Sequence, residues 1–226
     1  MIKSTDTTVF NVGAQTIVNT VNCVGVMGAG LALEFQLRFP EMEKDYVERC
    51  QANQVHIGRP YLYRDNGYPW ILNFPTKNHW KYPSQLEWIE QGLQYISLNY
   101  QKGGITSIAF PKLGCSNGRL DWDVVRPLME QYLQDLDIEI FICEDTEKEA
   151  SGVEGHMVKM LNDIESLPWA DKLNLRYKIR KKIMAALPIY RFRNLRKVEG
   201  IGKQTYKDVF RYLYSLADRK DARVNS

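Results

Sequence analysis

The chain of 226 residues is long enough for one sizeable core and a small additional module, and its hydrophobic fraction of 44% is typical of a globular protein. No stretch approaches the roughly 20 apolar residues of a membrane span, and MIKSTDTTVF lacks the apolar core of a secretion signal, so no membrane partner is expected. Four scattered cysteines without a CxxC pair favour reduced thiols in a cytoplasmic protein, and three widely separated histidines predict no metal site.

Charge is distributed unevenly along the chain. Residues 1–145 carry 12 Lys and Arg against 17 Asp and Glu, whereas residues 146–226 carry 18 against 10. The small, polar residues 146–157 are typical of a linker. We therefore predict an acidic body over residues 1–145, a linker over residues 146–157, and a basic module over residues 158–226.

The body alternates between strand-like and helix-like patterns. Runs rich in Val, Ile, Phe and Tyr predict strands at residues 8–10, 16–23, 61–63, 70–76, 107–113 and 138–143. Apolar residues at helical spacing predict helices over residues 31–50, with a break or restart at Pro40, and over residues 84–102 and 121–136. Ser84 and Glu87 have the spacing of a capping box, and Asp121 or Asp123 is expected to begin the last helix. Strands without alternation need cover on both faces, which predicts an α/β fold with a mixed, largely parallel sheet between helices.

Two glycine-containing loops each follow a predicted strand and enter a helix. In VNTVNCVGVMGAGLALEF, three glycines lie within the six positions from Gly25 to Gly30, and PKLGCSNGRLDW contains Gly114 and Gly118. Ligands bind at the carboxyl edge of open α/β sheets, and backbone N–H groups at a helix start suit a phosphate. A single such loop is better explained by a tight turn without a ligand, but two at one edge favour a diphosphate. Neither loop has the P-loop or the GxGxxG pattern.

A lysine follows the predicted strand WILNFPT. Lys77 is either a solvated strand end or a functional amine, and its position alone does not decide between them. Partial burial or a neighbouring cation lowers a lysine pKa and frees its lone pair. Such an amine is able to attack an electrophilic anomeric carbon.

Three long motifs, NTVNCVGVMGAGLALEFQLRFP, NFPTKNHWKYPSQLEWIEQGL and PKLGCSNGRLDWDVVRP, together resemble the DarG macrodomains, which are close to the terminal ADP-ribose glycohydrolases. The resemblance covers residues 7–143 and implies a macrodomain fold over residues 1–145. It implies a DNA ADP-ribosylglycohydrolase that removes ADP-ribose from thymidine in single-stranded DNA, without a cofactor, as the antitoxin of a DarT-like toxin. The alternative is a non-catalytic module that binds ADP-ribose or the toxin.

The resemblance also implies roles for individual residues. Lys77 occupies the position of the family's essential lysine, and Asn22 is expected to face the distal ribose unless it is a buried amide that caps local backbone. His79 and Trp80 either shape the mouth of the site or pack on the following helix, with packing favoured. The other expected ADP-ribose contacts are Gly28, Ala29, Gly30, Leu31, Thr76, Gly114, Cys115, Ser116, Asn117 and Gly118. Cys115 is expected to be a small loop residue and not a nucleophile.

Two departures from the family pattern concern acids. Macrodomains often have a Gly-Asp pair near the first strand, whose acid holds the adenine amine, but Thr7 and Thr8 stand there and Asp6 is displaced. Gly118 stands where the human-type glycohydrolases have an aspartate, which favours the DarG branch.

The basic module is expected to be helical over residues 158–167, 168–187 and 203–220. The stretch from Lys172 to Arg211 contains 13 Lys and Arg but only two acids, a charge that attracts phosphate backbones. LRKVEGIGKQTYKDVF resembles a helix-hairpin-helix DNA-binding motif, and Tyr190, Phe192 and Tyr206 are expected to pack or to stack on bases. The alternative is a solvated helical bundle or a protein-docking module. The expected DNA contacts are Arg191, Arg193, Arg196, Gly200, Ile201, Gly202 and Lys203.

Overall fold

The computed structural model describes residues 1–65, 67, 69–163 and 168–224, with side chains omitted at 168 and 219–224. It divides into two compact units, Met1–Thr146 and Glu147–Ser226. This division lies inside the predicted linker, one residue after the predicted end of the body. In the described residues, no helix has the length and hydropathy needed to cross a membrane.

A six-stranded sheet forms the centre of the first unit. Its strands are β1 (Ile2–Thr5), β2 (Thr16–Asn22), β3 (Tyr61–Tyr63), β4 (Trp70–Lys77), β5 (Ser107–Pro111) and β6 (Glu139–Cys143). The spatial order is β1-β6-β5-β2-β4-β3, and only the β3–β4 pair is antiparallel. The mixed, largely parallel sheet predicted from the sequence is thus confirmed.

One strand prediction was wrong. Residues 8–10 form no strand, although Val9 is buried in the core. The first strand instead lies at Ile2–Thr5, where Ile2 is in register with Ile140 of β6. This is an edge strand that is only partly buried, so its polar sequence IKST lacks the apolar pattern of a central strand.

Helices cover both faces of the sheet. On one face α1 (Gly30–Arg38) and α2 (Pro40–Gln51) enclose a core around Phe35 and Tyr46, and on the other α3 (Leu86–Asn99) and α4 (Trp122–Leu133) enclose a core around Leu93 and Met129. Pro40 occupies the first position of α2, as the predicted restart requires.

Of the two predicted helix starts with a side-chain cap, one is confirmed and one is wrong. Asp121 caps α4 by accepting a hydrogen bond from the backbone N–H of Asp123, which confirms that helix start. The capping box at Ser84 was wrong, because α3 begins at Leu86 without a side-chain cap. Ser84 is buried and donates its backbone N–H to the carbonyl of Gly118 instead (2.9 Å).

The strand register brings the motifs together at one edge. The central strand β2 lies between β5 and β4, and all three run parallel. Asn22 at the end of β2 is in register with Lys77 at the end of β4, after a bulge between Val21 and Asn22. The two glycine loops follow β2 and β5, so both begin at the carboxyl edge that also carries Lys77.

The second unit is helical. It contains α5 (Gly152–Asn162), α6 (Pro168–Lys172), α7 (Tyr177–Ala185), a 3₁₀ helix (Phe192–Lys197) and α8 (Lys203–Val224). The linker predicted over residues 146–157 overlaps the first half of α5, where Met157 is fully buried. Residues 164–167, predicted to extend the first helix, lie outside the described residues, as do 225 and 226. The helix predicted over residues 168–187 is two helices, because Asn174 adopts a left-handed conformation (φ 47°) between them.

Candidate active site

Lys77 ends β4 with its amine held against the second glycine loop. Nζ of Lys77 donates a hydrogen bond to the backbone carbonyl of Asn117. The side chain is partly exposed, although the six preceding residues of β4, from Ile71 to Thr76, are all buried. A buried strand therefore delivers a single amine to an open edge of the sheet.

The surroundings of Lys77 favour the neutral form of its amine. Partial burial lowers the pKa of Lys77 from its ordinary value, and the positive charge of Arg119 lowers it further. Arg119, which directly follows Gly118 in the second loop, is exposed and has a left-handed backbone (φ 64°). Sequence reasoning missed Arg119, although its position directly after Gly118 in that loop was a usable indication.

Asn22 organises the first glycine loop from inside. Its Oδ1 accepts hydrogen bonds from the backbone N–H groups of Val24 (3.0 Å) and Val26 (3.3 Å), and its Nδ2 donates to the carbonyl of Val26 (2.6 Å). The hydroxyl of Tyr46 donates to the Asn22 carbonyl (2.8 Å) and to Oδ1 (3.1 Å). The buried, capping amide that the sequence left open as an alternative is the arrangement observed. The expected contact of Asn22 with a ribose stays a prediction.

The first loop ends in an uncapped helix start. Ala29 precedes α1 and gives it no side-chain cap, and the first turn, Gly30 to Leu33, contains no acid. In the described part of the chain, the N–H groups from Gly28 to Ala32 meet no protein acceptor, since the first helical bond runs from Leu33 to Ala29. Such N–H groups, with the positive end of the helix dipole, suit an anion. Gly28, Ala29, Gly30 and Leu31 thus lie at the start of α1, and their contact with a phosphate stays a prediction.

The two loops meet at Gly30 and Asn117. A Cβ atom built on Gly30 would lie 2.7 Å from Nδ2 of Asn117, and Gly30 has a left-handed backbone (φ 57°). Any other residue would therefore be strained and would displace the asparagine side chain. The same asparagine holds the Lys77 amine through its carbonyl. The loops and the lysine therefore form one continuous site.

The second loop is a tight turn closed by Gly118. A Cβ atom on Gly118 would overlap the carbonyl oxygen of Gly114 and the hydroxyl of Ser84. The carbonyl of Gly114 accepts from the N–H of Leu120 (3.1 Å). The N–H groups of Ser116, Asn117 and Gly118 donate to no acceptor among the described residues. This loop therefore offers a second set of N–H donors.

The polar groups of two predicted ligand contacts, Thr76 and Cys115, form hydrogen bonds within the protein. Thr76 is buried, and its hydroxyl donates to the carbonyl of Val21 (3.5 Å). Its side chain thus stabilises the β2–β4 pair, and its contact with a ligand stays a prediction. Burial raises the pKa of the Cys115 thiol to about 11, and Sγ donates to the Leu113 carbonyl (3.3 Å), so this thiol is protonated at neutral pH.

Asp6, the displaced acid near the first strand, and its neighbour Thr7 form hydrogen bonds with other residues of the protein. The carboxylate of Asp6 accepts a hydrogen bond from the hydroxyl of Thr146, and the carbonyl of Asp6 accepts from the Thr146 N–H (2.8 Å). Thr7 accepts a hydrogen bond from the side chain of Asn11 (3.1 Å), and Thr8 is buried. Asp6 therefore has a structural partner within the first unit, and the residue that would contact adenine stays unassigned.

Two of the expected DNA contacts in the second unit are corrected. Arg191 is buried, with its guanidinium paired to Glu154 (2.9 Å) and bonded to the carbonyl of Glu147 (2.9 Å). The N–H of Ile201 donates to the carbonyl of Val198 (3.1 Å). Both groups are therefore used within the fold. Phe192 and Tyr206 are buried core rings, whereas Tyr190 is exposed.

The remaining expected DNA contacts lie on the surface of the second unit. Gly200 has a left-handed backbone (φ 84°), and Gly202, which precedes α8, has no described atom within 4 Å of the place where a Cβ atom would lie. The side chains of Arg193, Arg196 and Lys203 are exposed. These groups thus combine positive charge with an open helix start.

Comparison with known proteins agrees with this architecture. The Macro domain family model matches residues 18–129. A DNA ADP-ribosyl glycohydrolase of Thermus aquaticus is 43% identical over 138 residues, which are 59% of this chain and 38% of that protein. A DNA ADP-ribosyl transferase-DNA ADP-ribosyl glycohydrolase fusion protein of Thermosipho africanus is 39% identical over 158 residues, 62% of this chain and 41% of that protein. The chain therefore spans about two fifths of the length of these curated relatives.

Solved structures match the same part of the chain. The macrodomain of Thermus aquaticus DarG superposes with a TM-score of 0.61 at 38% identity, over 64% of this chain and 98% of that structure. Thermosipho africanus DarTG in complex with ADP-ribose gives a TM-score of 0.62 at 38% identity, over 68% of this chain and 44% of that structure. With its two glycine loops, Lys77 and this sheet, the chain belongs to the macrodomain family.

Proposed function

We propose that this protein is a DNA ADP-ribosylglycohydrolase that releases ADP-ribose from thymidine in single-stranded DNA, with Lys77 as the catalytic residue. The observation that carries the proposal is the amine of Lys77 between the two loops, bonded to Asn117 and depressed in pKa. The similarity to DNA ADP-ribosyl glycohydrolases at about 40% identity supports the same substrate. A DarT-like toxin is the proposed source of the modification.

The two loops bind the diphosphate in this proposal. The N–H groups from Gly28 to Leu31 and from Ser116 to Gly118, which have no acceptor among the described residues, contact the diphosphate from two sides. Their hydrogen bonds stabilise its negative charge without a metal ion. Anchoring the diphosphate holds the attached ribose next to Lys77. Binding energy from the unreactive part of the substrate then orients the reacting carbon.

Two routes for Lys77 satisfy the chemistry. In the first, the neutral amine bonds to the anomeric carbon, and the bond to thymine breaks with its electron pair passing to the base. The lysine nitrogen gives a proton to the base, and water then displaces lysine to yield ADP-ribose and the free amine. In the second, Lys77 takes a proton from water, and the water oxygen bonds to the anomeric carbon as the bond to thymine breaks with its electron pair passing to the base. The lysine ammonium then gives its proton to the base, which leaves ADP-ribose and the neutral amine. Both routes require the neutral amine that burial and Arg119 favour.

A non-catalytic reader of ADP-ribose is the competing function. The paired carboxylates of ordinary glycosidases are missing from the matched motifs, so catalysis depends on one lysine. The two functions predict different results in one assay, in which the full chain is incubated with an oligonucleotide that bears ADP-ribose on thymidine. Release of free ADP-ribose supports the enzyme, whereas binding of ADP-ribose without release supports the reader.

The second unit is proposed to bind the DNA backbone. Exposed Arg196, Lys197 and Lys203 supply positive charge, and the N–H groups at the start of α8, next to Gly202, suit a phosphate. A groove lined by Tyr190, Asn194 and Lys197, among other residues, lies in the same unit. Affinity of the chain for unmodified single-stranded DNA should fall steeply with salt, and salt-independent affinity would argue for protein docking instead.

A further inference from the structure

A short segment joins the reactive lysine to both glycine loops. Residues Asn78–Ser84, called here the aromatic strap, run from the end of β4 to the start of α3. At one end, the carbonyl of Asn78 accepts from the N–H of Cys23 in the first loop (3.2 Å). At the other end, the N–H of Ser84 donates to the carbonyl of Gly118 in the second loop (2.9 Å). The strap is therefore fixed at both ends beside Lys77.

The strap displays aromatic rings to solvent. Trp80 is 48% exposed and Tyr82 is 64% exposed, so a large part of each ring is open to solvent. The ring of His79 lies between them, with centroids 5.6 Å from Trp80 and 5.5 Å from Tyr82. Large exposed aromatic side chains in a preassembled group indicate a binding surface.

Backbone hydrogen bonds hold these rings in place. The N–H of Tyr82 donates to the carbonyl of His79 (3.2 Å), and the N–H of Lys81 donates to Nδ1 of His79 (3.2 Å). The strap therefore forms a turn whose geometry exists before any ligand binds. A rigid platform loses little entropy on binding, which favours affinity.

Positive charge accompanies the rings. Lys81 is exposed, with Nζ 5.2 Å from the centre of the Trp80 ring. Arg119 adds a second exposed cation close to Lys77. Aromatic rings interleaved with cations are the usual chemistry for holding single-stranded nucleic acid, because bases stack on the rings and phosphates meet the cations.

We propose that the aromatic strap binds the nucleotides next to the modified thymidine, through base stacking on Trp80 and Tyr82 and a phosphate contact from Lys81. This inference rests on the proposed function and adds the part of the substrate beyond ADP-ribose. In this arrangement the loops hold the ADP-ribose, Lys77 lies at the bond to be broken, and the strap holds the DNA strand. The strap thereby selects a polynucleotide over a free nucleoside.

The test compares how variants of the full chain turn over two substrates. Trp80→Ala, Tyr82→Ala and the double variant are assayed on an ADP-ribosylated oligonucleotide and on ADP-ribosylated thymidine nucleoside. Because each stacked base contributes about 1–3 kcal/mol, kcat/KM for the oligonucleotide should fall roughly 5- to 150-fold per ring, mainly through KM. Turnover of the nucleoside should stay within about twofold. Tyr95→Ala, an exposed tyrosine in the second half of α3, is the matched control and should change neither.

Other outcomes overturn the inference in distinguishable ways. Equal losses on both substrates would mean that the rings only shape the Lys77 site, and unchanged turnover of both would mean that the strap does not contact DNA. Absence of turnover by the unsubstituted chain on either substrate would instead refute the proposed function. In that case, photocrosslinking of the chain to an oligonucleotide containing halogenated uracil still tests whether the aromatic strap binds DNA. Crosslinks at Trp80 or Tyr82 would support this binding, and crosslinks confined to other residues would refute it.

Discussion

Lys77 donates a hydrogen bond from Nζ to the backbone carbonyl of Asn117, so the reactive amine is held by the loop that would bind a phosphate. The N–H of Asn117 donates to no acceptor among the described residues, and its side chain meets Gly30 of the other loop. One residue thus contacts the amine and links the two glycine loops. The position of the lysine depends on the integrity of the second loop.

Gly118→Ala should disrupt that loop. The added Cβ would overlap the Gly114 carbonyl and the Ser84 hydroxyl, both of which are fixed by the fold. Overpacking of this kind lowers the free energy of unfolding by about 1–3 kcal/mol. Because the N–H groups of the loop are displaced, the affinity for ADP-ribose, measured by calorimetry, should fall by at least about tenfold. Gly67→Ala is the control, since no described atom lies within 4 Å of its added carbon. Full ADP-ribose affinity in Gly118→Ala would refute the proposed role of the loop.

Arg119→Met should shift the pH dependence of turnover. Arg119 lowers the pKa of Lys77, so its removal raises that pKa towards the ordinary value. Since the neutral amine is the active form, the rate rises with pH through this pKa, and the rising limb should move to higher pH in the variant. Lys102→Met removes a charge beyond the far end of α3 and should leave the limb in place. An unmoved limb in Arg119→Met would contradict the electrostatic role of Arg119.

Tyr46→Phe should loosen the first loop. The hydroxyl of this fully buried tyrosine donates to both the carbonyl and the Oδ1 of Asn22, and the variant leaves these buried acceptors with one partner fewer. The free energy of unfolding should fall by about 1–3 kcal/mol, measured by urea denaturation. Tyr95→Phe, at an exposed position, should be neutral. Equal stability of the two variants would show that the Tyr46 hydroxyl does not support the loop.

Arg191→Met should destabilise the second unit. The guanidinium and the Glu154 carboxylate are both buried, and Glu154 also accepts the N–H of Phe192 (2.8 Å). Removing one partner of a buried ion pair costs about 3–5 kcal/mol, because the other charge stays buried. The exposed Lys197→Met should change stability by less than about 0.5 kcal/mol. If thermal unfolding of Arg191→Met matched that of Lys197→Met, the structural role of Arg191 would be refuted.

Local sequence was sufficient to predict the fold class and the edge of the sheet at which the candidate site lies. Lys77 and the glycine loops follow buried strands directly, so the rule that ligands meet the carboxyl edge of the sheet placed them together. The restart at Pro40 and the cap at Asp121 also depend only on neighbouring residues.

Contacts between distant residues could not be predicted in this way. Tyr46 lies 24 residues from Asn22, and Glu154 lies 37 residues from Arg191, so neither the hydrogen bond from Tyr46 to Asn22 nor the buried ion pair has a local pattern. The edge strand at Ile2–Thr5 depends on its pairing with β6, 138 positions away by register. For the same reason Arg191 looked like a phosphate contact until its partner was known.

The decisive test of catalysis by Lys77 is the release of ADP-ribose from a thymidine-modified single-stranded oligonucleotide by Lys77→Ala, measured beside the affinity of this variant for free ADP-ribose. If Lys77 is the catalytic residue, release falls by at least about a thousandfold, whereas ADP-ribose affinity stays within about tenfold of that of the unsubstituted chain. Retention of near-full release by Lys77→Ala would contradict the assignment of the chemistry to this lysine.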